Sequence, residues 1–119
     1  MNKYTELSDF EINKKVADLI LNGEYVVSEE KREVYLAIMD GGEFRPIAYF
    51  DTCNNPANAM PIIIENLISL MADMSEDGGS IWWCASDISN GITSRYKSNP
   101  LRAAMEVFLM LKEAENEKV

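Results

Sequence analysis

The chain has 119 residues, enough for one domain that folds without a metal or a disulfide scaffold. Hydrophobic residues make up 47% and charged residues 26%, a globular balance, and the formal net charge of −9 works against binding to nucleic acid or to anionic membranes. Histidine is absent, which removes Ser-His-Asp and Cys-His catalysis and imidazole-ligated metals.

The start, Met1-Asn2-Lys3-Tyr4-Thr5-Glu6, is too polar for a signal peptide. No apolar run approaches membrane-spanning length. Cys53 and Cys84 have no CxxC spacing and read as reduced thiols in a reducing compartment.

The first helix is announced by Ser8-Asp9-Phe10-Glu11, a capping box with Ser8 as N-cap and Glu11 at N3. Ile12, Val16, Leu19 and Ile20 form its apolar stripe, with Asn13 inside the same arc, and Gly23 is the expected stop. A buried Asn needs partners, and a loop packed over the helix would supply them.

Tyr25-Val26-Val27 is a short strand candidate, and Val34 to Met39 is a strong one. Asp40-Gly41-Gly42-Glu43 reads as a hairpin turn returning through Phe44 to Phe50, with Pro46 requiring an edge position.

Asp51 to Pro61 is dense in capping residues. It predicts a short helical turn after Asn55-Pro56, then a second helix opened by Pro61 and carrying Ile63 through Met71, expected to be the most buried helix. Ser75 to Gly79 is expected as a loop, Ser80 to Ala85 as a strand, and Asp87 to Ser98 as a polar, turn-rich connection. Asn99-Pro100 opens the last helix as N-cap and N1, and residues 112–119 are expected to fray.

The expected order is α-β-β-β-α-β-α in a single domain over 1–119, without internal sequence repeats. The fold class is α+β: a three- or four-stranded, mainly antiparallel sheet packed with about three helices.

Several constellations are candidates for function. Arg95, Lys97 and Arg102 surround the helix start at Asn99, where free N–H groups attract anions; the alternative is that Arg102 balances Glu106 one turn along. Asp51, Asn54, Asn55 and Asn58 are close enough in sequence to hold a hard cation, but lack the calcium-loop spacing, and Asx capping of turns explains them better. Trp82 and Trp83 point to opposite faces of their strand, so one indole is expected in the core and the other either under a second helix layer, the favoured account, or exposed, where it would mark an interface. No catalytic residue, metal ligand set or cofactor motif is identified.

Three stretches, Tyr4 to Asn13, Phe50 to Ile63 and Asn99 to Met105, together resemble the NinX-like family of small phage and prophage proteins of uncharacterised function. The family's central pattern reads close to DPCNNPADAWPII; this chain has Thr52, Asn58 and Met60 where the pattern has its first proline, its second aspartate and its tryptophan. The resemblance implies a helix–sheet–helix sandwich, a phage or prophage origin and a bacterial cytoplasm. It implies no activity and no catalytic residue.

The resulting expectation is a non-enzymatic accessory protein that binds a host or phage protein, with homo-oligomerisation open and neither nucleic acid nor membrane as a partner. The alternative is a binder that sequesters an anionic small molecule or nucleotide. Arg95, Lys97, Asn99, Arg102, Asn54, Asn55 and Trp82 are the candidate binding residues.

Overall fold

Ser8 starts the first helix as its sequence requires. In the computed structural model, which describes residues 2–96 and 98–117, its hydroxyl accepts from Glu11 N at 3.2 Å and Glu11 Oε1 accepts from Ser8 N at 3.1 Å. Helix α1 (Asp9–Ile20) buries Phe10, Ile12, Asn13, Val16 and Ala17.

Three strands follow in an antiparallel meander: β1 (Tyr25–Ser28), β2 (Glu33–Asp40) and β3 (Glu43–Tyr49). Gly41 and Gly42 both take positive φ, which a two-residue turn between right-twisted strands demands. Pro46 sits on the edge strand, as a residue without an N–H must, and the β2–β3 register shifts between Leu36 and Ala37.

Helix α2 (Pro56–Glu65) is one continuous helix running through Pro61, rather than a turn followed by a helix opened at Pro61. It ends three residues before β4 (Ser69–Met74), so the expected helical Ser69 to Met71 is strand instead. The reason lies at the helix end. Leu67 adopts φ +54°, Leu67 N donates to Ile64 O at 3.3 Å, and Ile68 N donates to Ile63 O at 3.0 Å. This is a Schellman stop with Leu where glycine is usual, and the buried pair Ile63 and Ile68 seals it.

Strands β4, β5 (Ile81–Ser86) and β6 (Thr93–Tyr96) form a second antiparallel meander. The connection expected from Asp87 to Ser98 thus contains a strand. It follows a turn in which Asp87 accepts from Ile92 N at 3.1 Å and from Ser89 Oγ at 2.7 Å.

Helix α3 (Pro100–Glu117) is the centre of the molecule and the most buried helix, the place expected for α2. Every residue from Arg102 to Leu109 is buried, because α3 packs on β5 and β6 and also on α1 and α2. α3 extends to Glu117, and Glu113 accepts from Lys3 Nζ and from Tyr4 OH.

The fold is α+β with three helices and two separate three-stranded antiparallel sheets, where one sheet was expected. An α-β-β-β unit occurs twice in succession, a repeat of element order without a repeat of sequence. No helix among the described residues is long and apolar enough to cross a membrane.

Candidate functional site

The loop from Asp51 to Asn55 joins β3 to α2 and is pinned to α1 by Asn13. Asn13 Nδ2 donates to Asp51 Oδ1 at 2.9 Å, while Asn13 Oδ1 accepts from Thr52 Oγ1 at 2.8 Å and from Cys53 N at 3.2 Å. A buried carboxamide satisfied on both ends fixes the loop more firmly than one backbone bond would.

The capping residues then do what their side chains do best. Asn55 accepts from Ala57 N at 3.0 Å as N-cap of α2, and Asn58 Oδ1 accepts from Asp51 N at 3.1 Å. Asn54 Nδ2 donates to Asp9 Oδ2 and to both Asp51 oxygens. Asn99 accepts from Leu101 N and Arg102 N as N-cap of α3, and donates to Cys53 O at 2.6 Å and Asn54 Oδ1 at 3.2 Å. Asn54, Asn55 and Asn99 therefore belong to one junction where three helix starts meet. Cys53 lies inside it, with its thiol pushed well above the ordinary range by burial and by the nearby Asp9 carboxylate.

Arg102 also belongs to this junction, as a buried group. Its Nε donates to Glu106 Oε2 at 2.8 Å, Nη1 to Asp9 Oδ1 at 2.7 Å, and Nη2 to the carbonyls of Tyr4 and Leu7. Burial pulls its pKa down, but hydrogen bonds to Asp9 and Glu106 outweigh that and leave it raised. The Arg102–Glu106 balance weighed from the sequence is the arrangement found, and the guanidinium is turned away from solvent.

Arg95 stands elsewhere. Its guanidinium lies 4.7 Å over the Trp82 ring on the outer face of β5 and β6, opposite the face that Ala85 and Ser94 turn to α3. Trp82 is half-buried beneath that cation and not beneath a helix, and Trp83 on the opposite face is half-buried too. The anion cluster expected from Arg95, Lys97 and Arg102 is thus not assembled: Arg102 is inward, Arg95 stacks on Trp82, and Lys97 lies outside the described residues.

Two open clefts flank these groups. One, of about 370 Å³, lies between Arg32, Tyr49, Asp51, Asn54 and Asn55, with Asn13 at its floor. The other, of about 470 Å³, lies beside Arg95, Thr93 and Cys84 under the N-terminal Asn2 and Thr5. Sequence reasoning missed Arg32. It adopts φ +55°, donates to Ser8 Oγ at 2.8 Å and lies 4.9 Å over Phe10, and nothing in its mixed-charge neighbourhood signals that position.

No curated protein and no solved structure matches this chain. The family described as Bacteriophage P22, NinX matches residues 3–112, which include all three stretches that carry the resemblance. The chain therefore belongs to the bacteriophage P22 NinX family.

Proposed function

We propose that this phage-family protein acts in the bacterial cytoplasm as a non-enzymatic module that docks a host or phage protein on its β2–β3 hairpin. The observation that supports this is the exposure of apolar side chains there. Every residue of β3 is exposed, Ile47 to 55% and Tyr49 to 62%, and Phe44 and Met39 form an exposed cross-strand pair. A small acidic domain gains nothing in solubility from such a surface, and exposed aromatic and aliphatic groups on one hairpin are what a partner interface uses.

The test is recovery of the tagged chain from phage-infected cells, followed by native mass spectrometry. A stoichiometric partner present with the wild type and lost with the Phe44→Asp, Ile47→Asp variant supports the reading. A partner retained by that variant places the interface elsewhere, and a chain that recovers no partner counts against the reading.

A second reading rests on the cleft beside Asn54 and Asn55. Its volume falls at the lower end of small-molecule sites, and Arg32 supplies a cation at its rim. An anionic ligand would sit against Arg32 rather than against Arg102. Titration with inorganic phosphate and with nucleoside phosphates checks it, with Arg32→Ala expected to abolish any heat seen with the wild type.

A further inference from the structure

Among the described residues, no strand pairs with the outer edge of β4 in the second meander. Strand β1 and strand β6 have four residues each, and β3 is blunted by Pro46, a register shift and the Arg45–Asp40 ion pair. Strand β4 has six residues, Ser69-Leu70-Met71-Ala72-Asp73-Met74, with no proline, no lysine and no bulge in its pairing with β5.

The backbone direction along this edge is fixed by two bonds. Ser75 N donates to Ser80 O at 2.9 Å and Asp87 N to Ile92 O at 3.0 Å. Counting back in steps of two, Ser69, Met71 and Asp73 bond to β5, and Leu70, Ala72 and Met74 turn their N–H and C=O groups outward, with the Met74 N–H donating to Asp73 Oδ1 at 2.8 Å. The side chains of those same three residues point to the face that carries α3. Helix α3 covers β5 and β6 but reaches β4 only marginally, and a hollow of about 360 Å³ lies at this end of β4 and β5, lined by Ala72, Asp73, Met74, Ile81, Trp82 and Trp83.

We propose that two copies of this chain pair through β4, antiparallel about a two-fold axis at Ala72, to join their second meanders into one continuous sheet. A two-fold perpendicular to the sheet keeps each face on its own side, so opposed residues must share a face. Centring on Leu70 or Met74 opposes a single pair of outward-turned residues, and three registers oppose more than one. Centred on Asp73, the register opposes two carboxylates. Centred on Met71, it sets Met74 against the partner's Ile68, which is buried at the end of α2. Centred on Ala72, it pairs all three outward residues and forms about four backbone hydrogen bonds, because the Met74 N–H of each copy is held by its own Asp73.

In that register Leu70 lies opposite the partner's Met74 over the hollow, and Asp73 lies opposite the partner's Met71 rather than its own copy. Ala72 meets the partner's Ala72 with little side chain to crowd the axis. The pairing covers Met74 and Met71, which are 60% and 62% exposed in the single chain. It leaves the β2–β3 hairpin free and does not depend on that hairpin binding anything.

The experiment is light scattering and sedimentation of the full chain across concentration and salt, with Ala72→Pro as the edge variant. The Ala72 N–H has no partner among the described residues, so proline there removes no ladder bond to β5. The expected result is twice the 13.5 kDa chain mass for the wild type at about 100 μM and the single mass for Ala72→Pro with unchanged circular dichroism. Because each copy carries a charge of −9, the dimer share should rise with salt. A wild type that stays single at every concentration and salt overturns the proposal, as does a folded Ala72→Pro that still dimerises. Should Ala72→Pro fail to fold, Ala72→Cys decides. A Cα separation of about 5.5 Å on the axis allows an intermolecular disulfide. Oxidation no faster than for Asp40→Cys overturns the register.

Discussion

Arg102 and Glu106 form an ion pair one turn apart on α3, with Nε 2.8 Å from Oε2, and both side chains are almost wholly out of water, at 2% and 0% exposure. The second Glu106 oxygen accepts from Asn2 Nδ2 and from Ser94 Oγ, each at 2.6 Å, so the N-terminal segment and β6 are tied to the same carboxylate. Asp9 closes the network on the solvent side. Its worth depends on completeness, because each ion is out of water only while the other is present. Arg102→Met is therefore expected to cost about 3–5 kcal/mol by leaving Glu106 unpaired, and Arg102→Met with Glu106→Leu to recover much of that. Urea unfolding of the three proteins checks both. A loss below about 1 kcal/mol for the single variant would show that the pair is dispensable.

The Asn13 carboxamide holds the Asp51–Cys53 turn, and its removal strands the Thr52 hydroxyl and the Cys53 N–H in the interior. Asn13→Ala should cost about 1–3 kcal/mol. Thiol labelling gives a local readout. Cys53 is fully buried and Cys84 half-buried, so a thiol reagent should modify Cys84 first in the native wild type. In Asn13→Ala the Cys53 rate should rise while Cys84 is unchanged. Equal acceleration at both cysteines would mean general loosening and not release of this loop.

The parts of the fold legible in the sequence are those whose signal is local. The Ser8–Glu11 capping box, the Gly41-Gly42 turn, the Pro46 edge position and the Asn99 cap each follow from side-chain chemistry within four residues. The second meander was obscured by two local conflicts. Ile63 to Met71 is apolar enough to read as one helix, and the residue that stops the helix is Leu67, where composition offers no glycine to announce a left-handed turn. Thr93 to Tyr96 is polar and short, and it becomes a strand because β5 and α3 offer it partners. The candidate site shows the same division. Asn54, Asn55 and Asn99 read as capping-type residues and do converge, but through long-range bonds to Asp9 and Cys53 that no spacing in the sequence displays. Arg102 stands out in the sequence by its charge, and only tertiary packing decides that its charge faces inward.

The titratable groups give the chain a stability plateau with two different edges. Asp87 is held below its ordinary value by hydrogen bonds from Ser89 and from Ile92 N, Asp77 by Ser75 and Gly79 N, and Glu113 by Lys3 and Tyr4. A carboxyl with a lowered folded pKa contributes stability that is present above its unfolded value and lost as pH falls through the folded value. Stability should thus decline as pH drops below about 4. Tyr4 moves the other way, pushed up to about 12 by burial and by its hydrogen bond to Glu113. Its contribution is complete below its unfolded value of 10.0 and is lost as pH climbs to about 12. Urea midpoints across pH give the acid edge, and tyrosinate absorbance gives the alkaline one. Tyr25 is raised as well, by desolvation and its hydrogen bond to Asp18, and Tyr35 by its hydrogen bond to Glu33 and desolvation. In Tyr4→Phe the alkaline decline should therefore become shallower, and an unchanged alkaline slope would remove Tyr4 as a contributor.

Leu67 offers a change in the opposite direction. It holds φ +54° with its side chain 60% exposed, so it bears the steric cost of a Cβ in the left-handed region and recovers little by burial. That cost is about 1–2 kcal/mol for a residue with a Cβ. Glycine escapes it but loses about 0.4–1 kcal/mol through the greater freedom of its unfolded chain. Leu67→Gly should therefore stabilise the protein by about 0.5–1 kcal/mol. Leu67→Ala should leave stability nearly unchanged because alanine keeps the Cβ, and Leu67→Val should lower it because branching at Cβ worsens the clash. The order Gly above Leu and Ala, with Val lowest, is what thermal unfolding should show. Were Leu67→Gly destabilising instead, the exposed leucine would have to contribute packing that outweighs its backbone strain, and the Schellman stop would be held by its side chain and not by Ile63 and Ile68.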